Sequence, residues 1–189
     1  MSLVSDMAYI ENRKKETSLL RHILYSVSFV ILLLLCSILQ CSGIKLFGVS
    51  PDITFGVICA IGFIAKEKYG GIFGLCGGVL IMSLGTSGIS LALILFTFCG
   101  YLCGVLPKIV LRRNFYSYLI FAPLMSAIHV FFTFIYYIMI SKSSLIWKAF
   151  GRLIIPEFLS CIICIIPAYF AVLSVYTLFK GKNNRTGRL

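Results

Sequence analysis

A chain of 189 residues that is 60% hydrophobic and only 12% charged, with a mean hydropathy of +1.02, lies far outside the composition of soluble globular domains. Its formal net charge of +11 would suit a nucleic-acid binder only if a folded basic face existed, and no polar segment is long enough to build one. Composition therefore excludes a soluble domain and points to a membrane.

Residues 1–22 are polar, with Asp6, Glu11 and the basic cluster Arg13-Lys14-Lys15, and are expected to form a cytoplasmic extension that orients the first span. Six apolar runs follow, Ile23–Cys41, Leu46–Ala65, Gly70–Leu84, Gly88–Leu106, Tyr116–Ile140 and Leu153–Phe179. A helix rises about 1.5 Å per residue, so about 20 residues cross a hydrocarbon core about 30 Å thick. Backbone polar groups in lipid must be satisfied within the segment, which makes these runs helices. The expected fold is all-α, a six-transmembrane-helix bundle over 23–179, with a basic tail at 180–189. The first run is too long for the apolar region of a signal peptide, and no small-x-small cleavage site follows it.

At the start of the second run, Ser50 is expected to cap a helix, Pro51 to take its first position, and Asp52 to sit where the helix dipole favours negative charge, which leaves Gly43–Val49 as an outer loop or short interfacial segment. In the third run Gly70, Gly74 and Gly78 recur every four residues and form one stripe, with Ile81 expected on the lipid side. Gly100 and Gly104 repeat the pattern in the fourth. In lipid, small residues let backbones approach closely, so both stripes read as helix-packing surfaces. The fifth run carries Pro123, several aromatics and His129, an intramembrane histidine that marks a candidate site by default. No acidic or basic residue is expected at its depth, so a hydrogen bond to a neighbouring helix is the preferred role, ahead of a proton relay. Tyr136, Tyr137 and Trp147 read as an interfacial aromatic belt. The sixth run opens on Pro156-Glu157, a second proline–acid pair. With Pro51, Asp52 and the neighbouring Arg152, these residues form the candidate outer face for a partner.

If the first residues are cytoplasmic, thirteen of the seventeen basic residues fall on the cytoplasmic side. Only Lys45, Lys142, Lys148 and Arg152 lie outside, so the positive-inside rule places both termini in the cytoplasm. Seven of the eight cysteines lie within apolar runs and Cys41 ends one, where thiols act as small hydrophobes. No metalloprotease, nucleophile-elbow or P-loop motif occurs. No catalytic residue, metal ligand or cofactor is expected, and the chain reads as a non-enzyme.

Ser50-Pro51-Asp52, the glycine-rich third run, Gly100-Tyr101-x-x-Gly104 and Ile154-Ile155-Pro156-Glu157 together resemble the MreD family of bacterial rod-shape-determining proteins, over roughly Leu46–Phe179. One departure stands at Met82-Ser83, where family members often carry an aspartate. The resemblance implies a multi-pass protein of the bacterial cytoplasmic membrane within the cell-elongation machinery. Its expected partners are an MreC-like scaffold and, indirectly, an MreB-like filament and peptidoglycan synthases. It also implies a fold like that of the substrate-binding S-components of energy-coupling-factor vitamin transporters, which supplies the alternative function of a vitamin-binding subunit.

Overall fold

The structure is a computed structural model and describes residues 23–43, 45–46, 48–84, 90–109, 114–141, 151 and 154–180. The expected N-terminal extension, the tail beyond Lys180, Arg152 and Trp147 lie outside the described residues. Among the described residues six helices run in chain order: α1 Ile23–Cys41, α2 Ile53–Ala65, α3 Glu67–Ser83, α4 Ser90–Ile109, α5 Phe115–Ser141 and α6 Ile155–Lys180. No strand occurs among the described residues, where the only β pairing is an isolated bridge between Leu46 and Val49. Helices α1, α4, α5 and α6 each contain a stretch long and apolar enough to cross a membrane, which marks a helical membrane protein.

Helix α2 begins at Ile53, two residues after the start expected at Pro51. It has 13 residues, about 20 Å at the usual rise, and Leu46 and residues 48–52 do not belong to it. Leu46 and Val49 exchange backbone hydrogen bonds of 2.9 and 3.1 Å across Gly48 at φ +85°, and Pro51 follows two residues later. This closed turn keeps the segment out of the helix. The sequence of α2 has no polar face, and a helix apolar on all sides is stable only when surrounded. It therefore sits at the centre, in contact with α3, α4, α5 and α6, with every residue from Thr54 to Phe63 buried.

Helices α3 and α4 form the closest pair. Their antiparallel register sets Gly70 against Gly100, Gly74 against Phe96 and Thr97, and Gly78 against Leu93. Gly62 of α2 joins this contact: a methyl group on Gly62 or Gly70 would overlap the Gly100 carbonyl, so three helices meet at a node of three glycines. Ile81, expected to face lipid, is 2% exposed. It follows Gly78 by three residues and so lies on the same helix face as the stripe.

Only Lys66 separates α2 from α3, in a backbone conformation at φ 86° that L side chains rarely adopt. Gly104 lets this turn rest directly on α4, since a methyl there would overlap Glu67 Cα. Lys108 then closes the same end through a 2.6 Å bond from its Nζ to Glu67 Oε1. Nearby, Tyr25 stacks edge-on against Phe29, Tyr69 and Tyr176, tying α1 to α3 and α6.

Candidate functional site

Beyond residue 22 the chain has only three acidic residues, Asp52, Glu67 and Glu157. Glu67 is held by Lys108 at one end of the bundle. The other two meet at the opposite end, where α1 finishes and α2 and α6 begin.

Asp52 precedes Ile53 in the cap position, at φ −79° and ψ 71°, and its side chain makes no capping hydrogen bond. The expected arrangement of a Ser50 cap followed by Pro51 at the first helical position is therefore corrected. A residue of α1 performs the capping: the Thr54 N–H donates to Gln40 Oε1 at 3.2 Å, satisfying a backbone donor that the helix start would otherwise leave open. Gln40 then turns its Nε2 to Asp52 Oδ1 at 2.7 Å. Because the amide oxygen is already engaged, this orientation of the amide is fixed. Ser37, one turn earlier in α1, reaches Thr54 Oγ1 at 3.4 Å and extends the polar seam into the bundle.

The second carboxylate oxygen, Asp52 Oδ2, lies 3.6 Å from His129 Nδ1, beyond hydrogen-bonding distance. The side chain of His129 is 6% exposed and that of Asp52 19%. The imidazole stacks on Phe55, with centroids 4.6 Å apart at 26°, and tilts against Phe96 at 5.3 Å. On α6, Glu157 occupies the first turn within electrostatic range of Asp52, and Cys161 lies one turn further, beside the Asp52 backbone. This overturns the expectation that no charged residue shares the depth of His129. The signal was available in the sequence. His129 lies 14 residues after Phe115 and Asp52 lies 13 before Ala65, so both sit about 20 Å from the same end of the bundle.

The residues expected at an outer partner face thus divide. Pro51 is buried and Asp52 turns inward, while Pro156 and Glu157 are half-buried at the head of α6. The packing glycines Gly70, Gly74, Gly78, Gly100 and Gly104 are all buried between helices. Gln40, Gly62 and Tyr118 were not singled out from the sequence. Tyr118 is fully buried and donates to Ile165 O at 3.2 Å and Gly56 O at 3.4 Å, joining α5 to α6 and α2. Its aromatic neighbours are Phe63 and Tyr169, with ring centroids at 5.4 and 4.7 Å.

The thiols of Cys59, Cys99, Cys103 and Cys161 gather in the interior from α2, α4 and α6, and none forms a disulfide. Among the described residues no group of three His, Cys, Asp or Glu side chains is arranged to hold a metal ion. What the site offers chemically is two acids, an amide and an imidazole brought from four segments to one end of a bundle. Comparison with models of protein families, with characterised proteins and with solved structures gives no match.

Proposed function

We propose that this chain is a non-enzymatic scaffold subunit of the bacterial cell-elongation machinery, held in the cytoplasmic membrane by six spans with both termini in the cytoplasm. It positions peptidoglycan synthesis through an MreC-like partner. The observation that carries the reading is where the family-like motifs lie. The glycines hold α3 and α4 together, and Asp52 is held by Gln40 and faces His129. These motifs build a close-packed bundle, while the apolar side chains along α1 and α5, such as Ile31, Leu35, Ile120 and Phe131, remain exposed to lipid or to the helix of a partner. The short α2 crosses as the inner helix of the bundle, where neighbouring helices replace lipid contact, while α3 buries its glycine face and leaves Ile72, Leu75 and Val79 exposed.

Conditional depletion in the native host, together with purification from mild detergent, tests the proposal. Rounding of rod-shaped cells and retention of an MreC-like protein are the expected results. Normal shape after depletion, with no such protein retained, would refute it.

One observation favours a second reading, a vitamin-binding transporter subunit. Asp52, Gln40, His129 and Glu157 converge at the proposed outer end, where a small ligand would be held by a few placed polar groups. Saturable vitamin binding by the purified chain, with unchanged cell shape on depletion, would select it.

A further inference from the structure

The end of the bundle around the α2–α3 turn carries more positive charge than its own packing uses. Between residues 53 and 156 the chain has a single acidic residue, Glu67, set among Lys66, Lys68 and Lys108. Glu67 takes the 2.6 Å hydrogen bond from Lys108 Nζ, yet the Lys108 side chain stays 50% exposed. An ammonium has three donors, so one bond to Glu67 leaves Lys108 able to hold a second anion. Lys66 and Lys68 are both exposed, and among the described residues no ion pair joins either to an acid. Lys66 is also the only described residue other than glycine at positive φ. A basic side chain stands there although glycine would relieve the backbone, and strain of this kind gathers where a side chain has a task.

From these lysines an open apolar seam runs along the bundle. Helix α3 exposes Ile72, Leu75 and Val79 at intervals of three and four residues, and Lys68 stands one turn before Ile72 on the same face. Helix α4 exposes Ile94, Phe98 and Tyr101 in the same rhythm, and Lys108 follows Tyr101 by two turns. Gly71 brings the two stripes together, since a methyl group there would lie 3.8 Å from Tyr101 Cβ and Cδ2. One side of the α3–α4 pair is therefore basic at its mouth and apolar along its length. A partner helix laid on this face would have to bring an acid to the lysines. A phospholipid carries a phosphate and an apolar chain in one molecule. A zwitterionic headgroup would also set its own cation against the lysines, so the charge favours an anionic one.

We propose that this side of the α3–α4 pair is a binding site for one anionic phospholipid. Its headgroup phosphate rests on Lys66, Lys68 and Lys108, and an acyl chain lies along the seam. Lys66 belongs to the α2–α3 turn and Lys108 to the last turn of α4, so the lipid fastens these two segments together from outside the bundle. The inference rests on this geometry and is independent of both functional readings.

The full chain, purified in mild detergent, is titrated with phosphatidylglycerol or with phosphatidylcholine of the same acyl chains, and native mass spectra and melting temperatures are recorded. The expected result is retention of one phosphatidylglycerol per chain in preference to phosphatidylcholine. The melting temperature should be about 2–4 °C higher in the anionic lipid, the size of one modest interaction in a chain of this length. Lys68→Gln should weaken retention about 5-fold, the effect of one basic residue beside an anionic surface. Lys45→Gln, at the other end of the bundle, should leave it unchanged. Lys66→Gly should raise the melting temperature without lipid, by relieving the turn, and yet bind phosphatidylglycerol less tightly. Loss of folding cannot produce that combination. Equal retention of the two lipids, equal effects of Lys45→Gln and Lys68→Gln, or the same thermal shift from inorganic phosphate would overturn the proposal.

Discussion

Replacing Gly70 by alanine adds one methyl group where α2, α3 and α4 approach most closely, whereas the same change at Gly71 adds it where there is room. At Gly70 the new carbon would overlap the Gly100 carbonyl and crowd Gly62 Cα, both backbone atoms that cannot rotate away. The helices must separate, and overpacking of this kind costs about 1–3 kcal/mol even after the helix preference of alanine is included. At Gly71 the nearest atoms are Tyr101 Cβ and Cδ2 at 3.8 Å, an ordinary contact. There the intrinsic preference of a helix for alanine over glycine acts unopposed and is worth about 0.5–1 kcal/mol. A kcal/mol corresponds to about 2–4 °C at this chain length. Gly70→Ala should therefore lower the melting temperature by about 2–12 °C, and Gly71→Ala should leave it unchanged or raise it by up to about 4 °C. Fluorescence-detected size exclusion after heating, in one detergent, reads both. Equal shifts, or a more stable Gly70→Ala, would refute the three-glycine node.

Four further outcomes follow from particular contacts. Gln40→Ala leaves Asp52 Oδ1 and the Thr54 N–H without their partner and should cost about 1–3 kcal/mol, read as a lower melting temperature, whereas loss of an exposed glutamine would cost almost nothing. Tyr118→Phe removes only the hydroxyl that reaches the Ile165 and Gly56 carbonyls and should cost about 0.5–1.5 kcal/mol, with unchanged elution volume. Lys66→Gly relieves the φ of 86° at the α2–α3 turn and should stabilise by about 1 kcal/mol, whereas Lys66→Ala should not. For the six-span topology, single cysteines placed at 66–68 or 110–113 of a cysteine-free variant should resist an impermeant thiol reagent in intact cells. Those near Ser87 and Ser144 should react, and the reverse labelling would refute the proposed orientation.

The sequence by itself determined that this is a helical membrane protein and roughly where each helix lies, because length and apolarity are local properties and lipid demands internally satisfied backbones. It also made the glycine stripe of α3 visible, since a four-residue repeat maps onto one helix face whatever that face meets. Where a stripe turns was less legible: Ile81 was assigned to lipid although its spacing from Gly78 carries it inward. Tertiary structure decided the rest. The start of α2 depended on a closed turn at Leu46–Val49, and its cap came from Gln40, fourteen residues before the Thr54 N–H it accepts and on another helix. The meeting of Asp52 with His129 depends on the relative depth and rotation of α2 and α5, which no run of apolar residues encodes by itself. A hydrophobic pattern specifies what enters the membrane. Which polar groups then find one another is set only when the helices pack, because each contact requires two faces at one level.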